Sequence, residues 1–98
     1  MITLGYLTIH PASRKVYIKD QEVALSSKEF DILEYIAERH PAIVSAEEIV
    51  EHVYDEAFDP FSSVLRVHLT RLRKKLKDAA QQDVLLTIRG KGYHLCVE

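Results

Sequence analysis

Ninety-eight residues, 47% of them apolar, suffice for one small globular domain spanning 1–98 with a modest core, and leave no room for a second. The formal charge of −2 argues at first against a nucleic-acid partner. No apolar run is long enough to span a membrane, and no basic start, apolar centre and small-residue cleavage site marks a signal peptide, so a cytoplasmic protein is expected.

The average charge conceals a division along the chain. Residues 1–60 carry five basic and twelve acidic side chains, a net of −7, and residues 61–98 carry eight basic and three acidic, a net of +5. Because the Debye length is about 8 Å at physiological salt, a basic surface attracts phosphate even when a distant face is acidic.

In chain order, the first 25 residues alternate. Leu7 and Ile9, then Val16 and Ile18, then Val23 and Leu25 share one face, separated by the turn-like Pro11-Ala12-Ser13 and Lys19-Asp20-Gln21, which predicts a small antiparallel sheet. Ser26 followed by Glu29 has capping-box spacing, and Phe30, Leu33, Ile36 and Ala37 supply the stripe of a first helix over about 27–40, stopped by His40-Pro41. Ser45 and Glu48 repeat the capping signal ahead of a second helix with Ala46, Ile49, Val50 and Val53 on its apolar side, ending near Tyr54. The stretch from Tyr54 to Phe61 is acidic and reads as a surface loop, with Asp59 or Ser62 expected to cap the next helix.

In the third helix, Leu65, Leu69, Leu72 and Leu76 form a core-facing stripe. Opposite lie Val67, Thr70, Arg71 and Lys74, with Arg66, Arg73 and Lys77 on one shoulder and Val64, His68 and Lys75 on the other. No acid occurs between Asp59 and Asp78. A solvated helix usually alternates charge signs to form i,i+4 pairs, whereas a face of one sign suits an anion. Arginine and lysine neutralise phosphate and donate to guanine O6 and N7, and Val67 and the Thr70 methyl suit a thymine methyl. A solvated basic helix end favoured by the helix dipole is the plainer reading of Lys74, Lys75 and Lys77.

After Asp78, Val84 to Ile88 and Tyr93 to Val97 flank Gly90-Lys91-Gly92, which predicts a terminal β-hairpin with a basic tip. Cys96, the single cysteine, is expected as a buried small hydrophobe rather than a reactive thiol. The histidines lack metal-ligand spacing and no serine or cysteine has a nucleophile-elbow context, so neither an enzyme nor a bound cofactor or metal is expected.

Three blocks carry a resemblance that covers the chain: Leu25-Ser26-Ser27-Lys28-Glu29-Phe30-Asp31-Ile32-Leu33, Val67-His68-Leu69-Thr70-Arg71-Leu72-Arg73-Lys74-Lys75-Leu76 and Ile88-Arg89-Gly90-Lys91-Gly92-Tyr93. Their order and spacing resemble the OmpR/PhoB-type effector domains of response regulators. The resemblance implies an α+β winged helix-turn-helix: an N-terminal antiparallel sheet bracing three helices, then a β-hairpin wing. It also implies sequence-specific duplex DNA binding and transcription regulation, with the third helix in the major groove and the wing in the adjacent minor groove.

Carried over residue by residue, the resemblance places Val67 and Arg71 at base edges, and His68, Arg73, Thr87 and Tyr93 at or behind the phosphate backbone. Arg89 matches the wing arginine. Val64, Arg66, Thr70, Lys74 and Lys91 complete the candidate surface. Two roles stay open for His68, a packed hydrogen-bonded histidine or a phosphate contact, and for Tyr93, whose ring can fill space while its hydroxyl meets phosphate. Ser63, Arg66 and Thr70 depart from the family pattern, which more often has arginine, an acidic or small polar residue, and arginine there, so no base sequence transfers. Relatives bind direct repeats head to tail and carry a covalently linked receiver domain. In them the region matching residues 54–61 can contact RNA polymerase, and a plain surface loop is the other reading. The rival class is a winged-helix protein-interaction module using the acidic N-terminal half.

Overall fold

The computed structural model describes residues 1–54 and 63–97. The N-terminal sheet is a four-stranded antiparallel meander of β1 (Ile2–Leu4), β2 (Leu7–His10), β3 (Lys15–Ile18) and β4 (Gln21–Glu22). Leu7 faces Ile18 and Ile9 faces Val16 across the ladder, and all four are sealed from solvent, as the alternation predicts. Two details differ. Ile2–Leu4 adds a short edge strand in which Ile2 and Leu4 are half-buried and Thr3 is exposed. The fourth strand ends before Val23, which still donates its amide to Val16 O at 2.8 Å, while Leu25 lies beyond the sheet on the way into the first helix. The β3–β4 turn is a two-residue loop in which Lys19 and Asp20 both have positive φ, 52° and 69°, matching the strand twist.

Helix α1 (Ser27–Arg39) opens with the predicted capping box, Ser26 Oγ accepting from Glu29 N at 3.2 Å and Glu29 Oε1 accepting from Ser26 N at 2.8 Å. It packs against β1, the two later helices and the last strand of the chain, so Ile32 is buried along with Phe30, Leu33, Ile36 and Ala37. Arg14 fastens the sheet to this helix. Its guanidinium reaches Asp31 at 2.7 Å and the Ser27 carbonyl at 3.1 Å, and lies 4.4 Å from the centre of the Phe30 ring.

Helix α2 (Ala46–Val53) buries Ile49 and Val50 and is capped by Ser45, whose hydroxyl accepts from Glu48 N at 3.1 Å. The Glu48 carboxylate is drawn to Tyr35 Oη at 2.6 Å and Arg39 at 3.3 Å, so the second capping signal also ties α2 to α1. Helix α3 (Ser63–Ala80) buries Leu65, Leu69, Leu72 and Leu76, then extends the stripe by one step to Ala80. It stops where Gln81 turns to φ 61°, and Lys19 Nζ donates to the Ala80 carbonyl at 2.9 Å, a cation at the negative end of the helix. The expected caps Asp59 and Ser62 lie outside the described residues.

The C-terminal hairpin pairs β5 (Leu85–Ile88) with β6 (Gly92–Leu95) in register Leu85↔Leu95 through Ile88↔Gly92. Along its second arm Leu95 and Val97 point inward at 1% and 3% exposure, so Cys96 between them points outward. The expectation of a buried cysteine is overturned by the alternation that buries its neighbours. Among the described residues no helix is long and apolar enough to cross a membrane.

Candidate nucleic-acid interface

The leucine stripe anchors α3 and thereby determines what the helix presents. Arg66, Thr70, Arg71 and Lys74 are exposed, and Val67 among them and Val64 at the shoulder keep 42% and 41% of their surface in solvent. Two valines this exposed stand out on a polar helix face, and apolar contact with a base methyl is one use for them. Among the described residues no hydrogen bond or ion pair engages the side chains of Arg66, Arg71, Arg89 or Lys91.

The cations on α3 fall into distinct sets. Lys75, outside the candidate set, serves the scaffold: its Nζ donates to Glu29 Oε1 at 2.6 Å, and Glu29 is only 2% exposed. Burial alone raises the Glu29 carboxyl, but the Lys75 ammonium, the Ser26 amide and the Ser26 hydroxyl outweigh it and hold the group below its ordinary value. Lys74 and Lys77 pair with the exposed carboxylates of Asp78 at 2.9 Å and Asp83 at 3.5 Å. Pairs this exposed exchange readily with solvent, so both ammonium groups stay available to another anion.

Arg73 lies on the shoulder nearest the wing and donates to Thr87 Oγ1, linking the middle of α3 to β5. Its Nε is buried without a partner, so the guanidinium is half committed to the scaffold. His68, on the opposite shoulder, is half-buried. Its ring stacks on Tyr54 at 5.9 Å between centroids, with Nδ1 2.6 Å from Tyr54 Oη, so the packed, hydrogen-bonded role left open for it is present.

Besides the Arg73–Thr87 link, the wing is tied to the connection between α1 and α2. Val44, between α1 and α2, forms a two-bond antiparallel bridge with Tyr93, Val44 N to Tyr93 O at 2.9 Å and Tyr93 N to Val44 O at 2.7 Å. That close approach requires Gly92: a Cβ there would lie 2.1 Å from Val44 O, at a φ of 147°. Gly90, at φ 76°, faces open space and serves the turn alone. The tip carries Arg89 and Lys91 into solvent. Between it and the start of α2 lies a cleft of about 320 Å³ bounded by Ala46, Glu47, Thr87, Lys91 and Tyr93.

The twelve candidate residues therefore sit on two adjoining elements. Val64, Arg66, Val67, His68, Thr70, Arg71, Arg73 and Lys74 lie on α3, and Thr87, Arg89, Lys91 and Tyr93 on or at the turn of the hairpin. Periodicity did not point to Val44, Tyr54 or Glu29, which hold this surface in place. The only trace of Val44 in the sequence is an apolar pair, Ile43-Val44, ahead of the Ser45 cap. The segment singled out as a protein-contacting loop, 54–61, lies outside the described residues apart from Tyr54.

A family model described as "Transcriptional regulatory protein, C terminal" matches residues 20–95. The chain is 38% identical over 89 residues to the transcriptional regulatory protein CutR of Streptomyces coelicolor, covering 91% of this chain and 40% of the relative. It is 32% identical over 92 residues to the two-component response regulator PhoP of Pseudomonas aeruginosa, covering 94% of this chain and 41% of the relative. The chain thus spans about two fifths of the length of these curated relatives. Among solved structures it is similar to the RstA DNA-binding domain of Klebsiella pneumoniae in complex with the RstA box, with TM-score 0.84, 33% identity, and coverage of 99% of this chain and 97% of that one.

Proposed function

The chain belongs to the family of C-terminal domains of transcriptional regulatory proteins, and on that basis we propose that it is the sequence-specific, duplex-DNA-binding output domain of a two-component response regulator. The observation that carries the proposal is the outward face of α3. Arg66 and Arg71 are without partners among the described residues there, Val67 and Thr70 lie between them, and a basic hairpin tip stands beside the same helix.

In this reading α3 enters the major groove. Arg71 donates to guanine O6 and N7, and Val67 and the Thr70 methyl face thymine methyl groups. Lys74, Arg73, Thr87, His68 and Tyr93 position the helix on the phosphate backbone, where contacts fix register without reading sequence. Arg89 and Lys91 reach the adjacent minor groove, whose negative potential is greatest where an A·T-rich segment narrows it. Val64 and Arg66 extend the surface toward the N-terminal end of α3. The domain has no enzymatic role, works in the cytoplasm, and is joined in the full-length protein to a receiver domain that promotes pairing on direct repeats. Residues 54–61 contact RNA polymerase.

Selection of bound sites from a random duplex pool, followed by titration of the recovered site at several salt concentrations, tests the proposal. Groove binding predicts that affinity falls steeply with salt, by about 0.9 in the log–log slope for each phosphate neutralised. Arg71→Ala relaxes base preference at one position of the site, whereas Lys74→Ala weakens all duplexes alike. Duplex affinity at low salt unchanged by both Arg71→Ala and Arg89→Ala would falsify the docking described.

A further inference from the structure

Tyr54 is the C-cap residue of α2, 8% exposed, with its ring nearly parallel to that of His68 at an interplanar angle of 16°. It is held from a second side by Lys28, whose Nζ donates to the Val53 carbonyl at 2.8 Å and lies 5.0 Å from the Tyr54 ring centre. Its hydroxyl is therefore fixed in position, and the contact it makes is short: 2.6 Å to His68 Nδ1. A neutral imidazole carries one proton on one of its two nitrogens, and the hydrogen bond at one nitrogen decides which.

We propose that Tyr54 is a positioning residue for DNA binding: by donating its hydroxyl proton to His68 Nδ1, it holds the imidazole in the Nε2–H tautomer, so that Nε2–H is a preset donor to a backbone phosphate. Burial pushes the Tyr54 hydroxyl up to about 12, so it keeps its proton at neutral pH and has it to donate to the imidazole nitrogen 2.6 Å away. Among the described residues nothing hydrogen-bonds Nε2. On α3, His68 shares a shoulder with the exposed Val64 one turn before it, and the exposed Arg71 of the outward face lies one turn after it, so the ring sits at the margin of that face. The two roles of His68 are thus one arrangement, with Nδ1 serving the scaffold and Nε2 the ligand. The inference rests on the reading that α3 docks on duplex DNA.

The test has one readout without DNA and one with it. Long-range ¹H–¹⁵N correlation of the unliganded chain at neutral pH is expected to show the His68 proton on Nε2, and Tyr54→Phe to shift the ring toward a mixture of tautomers. Tyr54→Phe is expected to weaken the selected duplex about fivefold, the scale of one hydrogen bond, with the salt slope unchanged because a neutral donor displaces no counterion. In a His68→Gln background, where an amide N–H replaces Nε2–H without needing a tautomer, Tyr54→Phe is expected to change affinity less than twofold, which separates positioning from general loosening of α2. A proton found on Nδ1 in the unsubstituted chain overturns the proposal. So does a Tyr54→Phe affinity equal to that of the parent, or an equal loss in both backgrounds. Failure of the unsubstituted chain to bind any duplex overturns the DNA-binding reading as well, whereas binding with an unchanged Tyr54→Phe affinity overturns this inference alone.

Discussion

Lys75 Nζ lies 2.6 Å from Glu29 Oε1, joining α3 to the capping box of α1 through a carboxylate that is 2% exposed. A buried charge that loses its partner is strongly destabilising, by about 3–5 kcal/mol when both members are sealed from water. Lys75 is 40% exposed on its side chain, so solvent already screens part of the pair. Lys75→Met, which keeps the packing of the stem, is expected to lower stability by about 2 kcal/mol. The midpoint of urea unfolding reads this directly, and a midpoint within error of the parent would show that water replaces the ammonium at no cost.

The same pair makes stability depend on acid. The Glu29 carboxyl is held below its ordinary value of 4.5, so in the window between its folded value and 4.5 the unfolded chain binds more protons than the folded one. Its contribution is therefore fully present above 4.5 and is lost as pH falls through the depressed folded value. Unfolding midpoints measured from pH 7 downward are expected to decline through this window in the parent. They should decline less steeply in Lys75→Met, where the chief opposing influence on burial is gone. Parallel acid limbs in the two proteins would contradict this.

Gly90 and Gly92 both have positive φ, yet they are predicted to differ sharply on substitution. At Gly90 an added Cβ meets nothing within 4 Å, so Gly90→Ala carries only the backbone cost of the left-handed region, about 1 kcal/mol. At Gly92 the Cβ would lie 2.1 Å from Val44 O and 2.6 Å from Val44 C, and backbone cannot move aside as a side-chain tip can. Gly92→Ala is expected to break the Val44–Tyr93 bridge and loosen the wing from the α1–α2 connection, which amide exchange at Val44 and Tyr93 reports. Retained protection at both amides would exclude the close approach.

This contrast shows where the sequence was legible. The leucine stripe of α3, the Ser26–Glu29 capping box and the alternation of β2 and β3 are local periodic signals, and each produced its element with boundaries close to those observed. The sorting of basic residues by role was not local. Lys75 and Lys74 are neighbours of identical type, and only the packing of α1 against α3 assigns one to Glu29 and leaves the other in solvent. Val44 and Tyr54 were missed for the same reason: each acts on a residue distant in sequence, Tyr93 and His68, and carries no periodic mark.

Cys96 illustrates a residue type misleading about its side of a strand. Cysteine is among the most buried residue types, but here Leu95 and Val97 occupy the inward positions and Cys96 is exposed. The thiol is expected to react with an aromatic disulfide reagent to one equivalent in native buffer, on the timescale at which the unfolded chain reacts. A reaction that appears only after denaturant is added would restore the buried assignment.

Asp78 lies one turn beyond Lys74 on α3, and the two pair at 2.9 Å with both side chains mostly in solvent, at 76% and 64% exposure. So exposed a pair adds little to the helix, and with lysine preceding the acid its order is the less favourable one for the dipole. Its larger effect falls on the ligand surface, because the carboxylate offsets a cation proposed to meet phosphate. Asp78→Asn is therefore expected to leave unfolding unchanged within about 0.5 kcal/mol while tightening duplex binding about twofold at low salt, for specific and non-specific sequences alike. The gain should disappear in a Lys74→Ala background, since the two changes act on one phosphate contact and a double-mutant cycle detects their coupling. Additive effects across that cycle would mean that Asp78 acts through the general field of the domain and that Lys74 does not bind phosphate at that position.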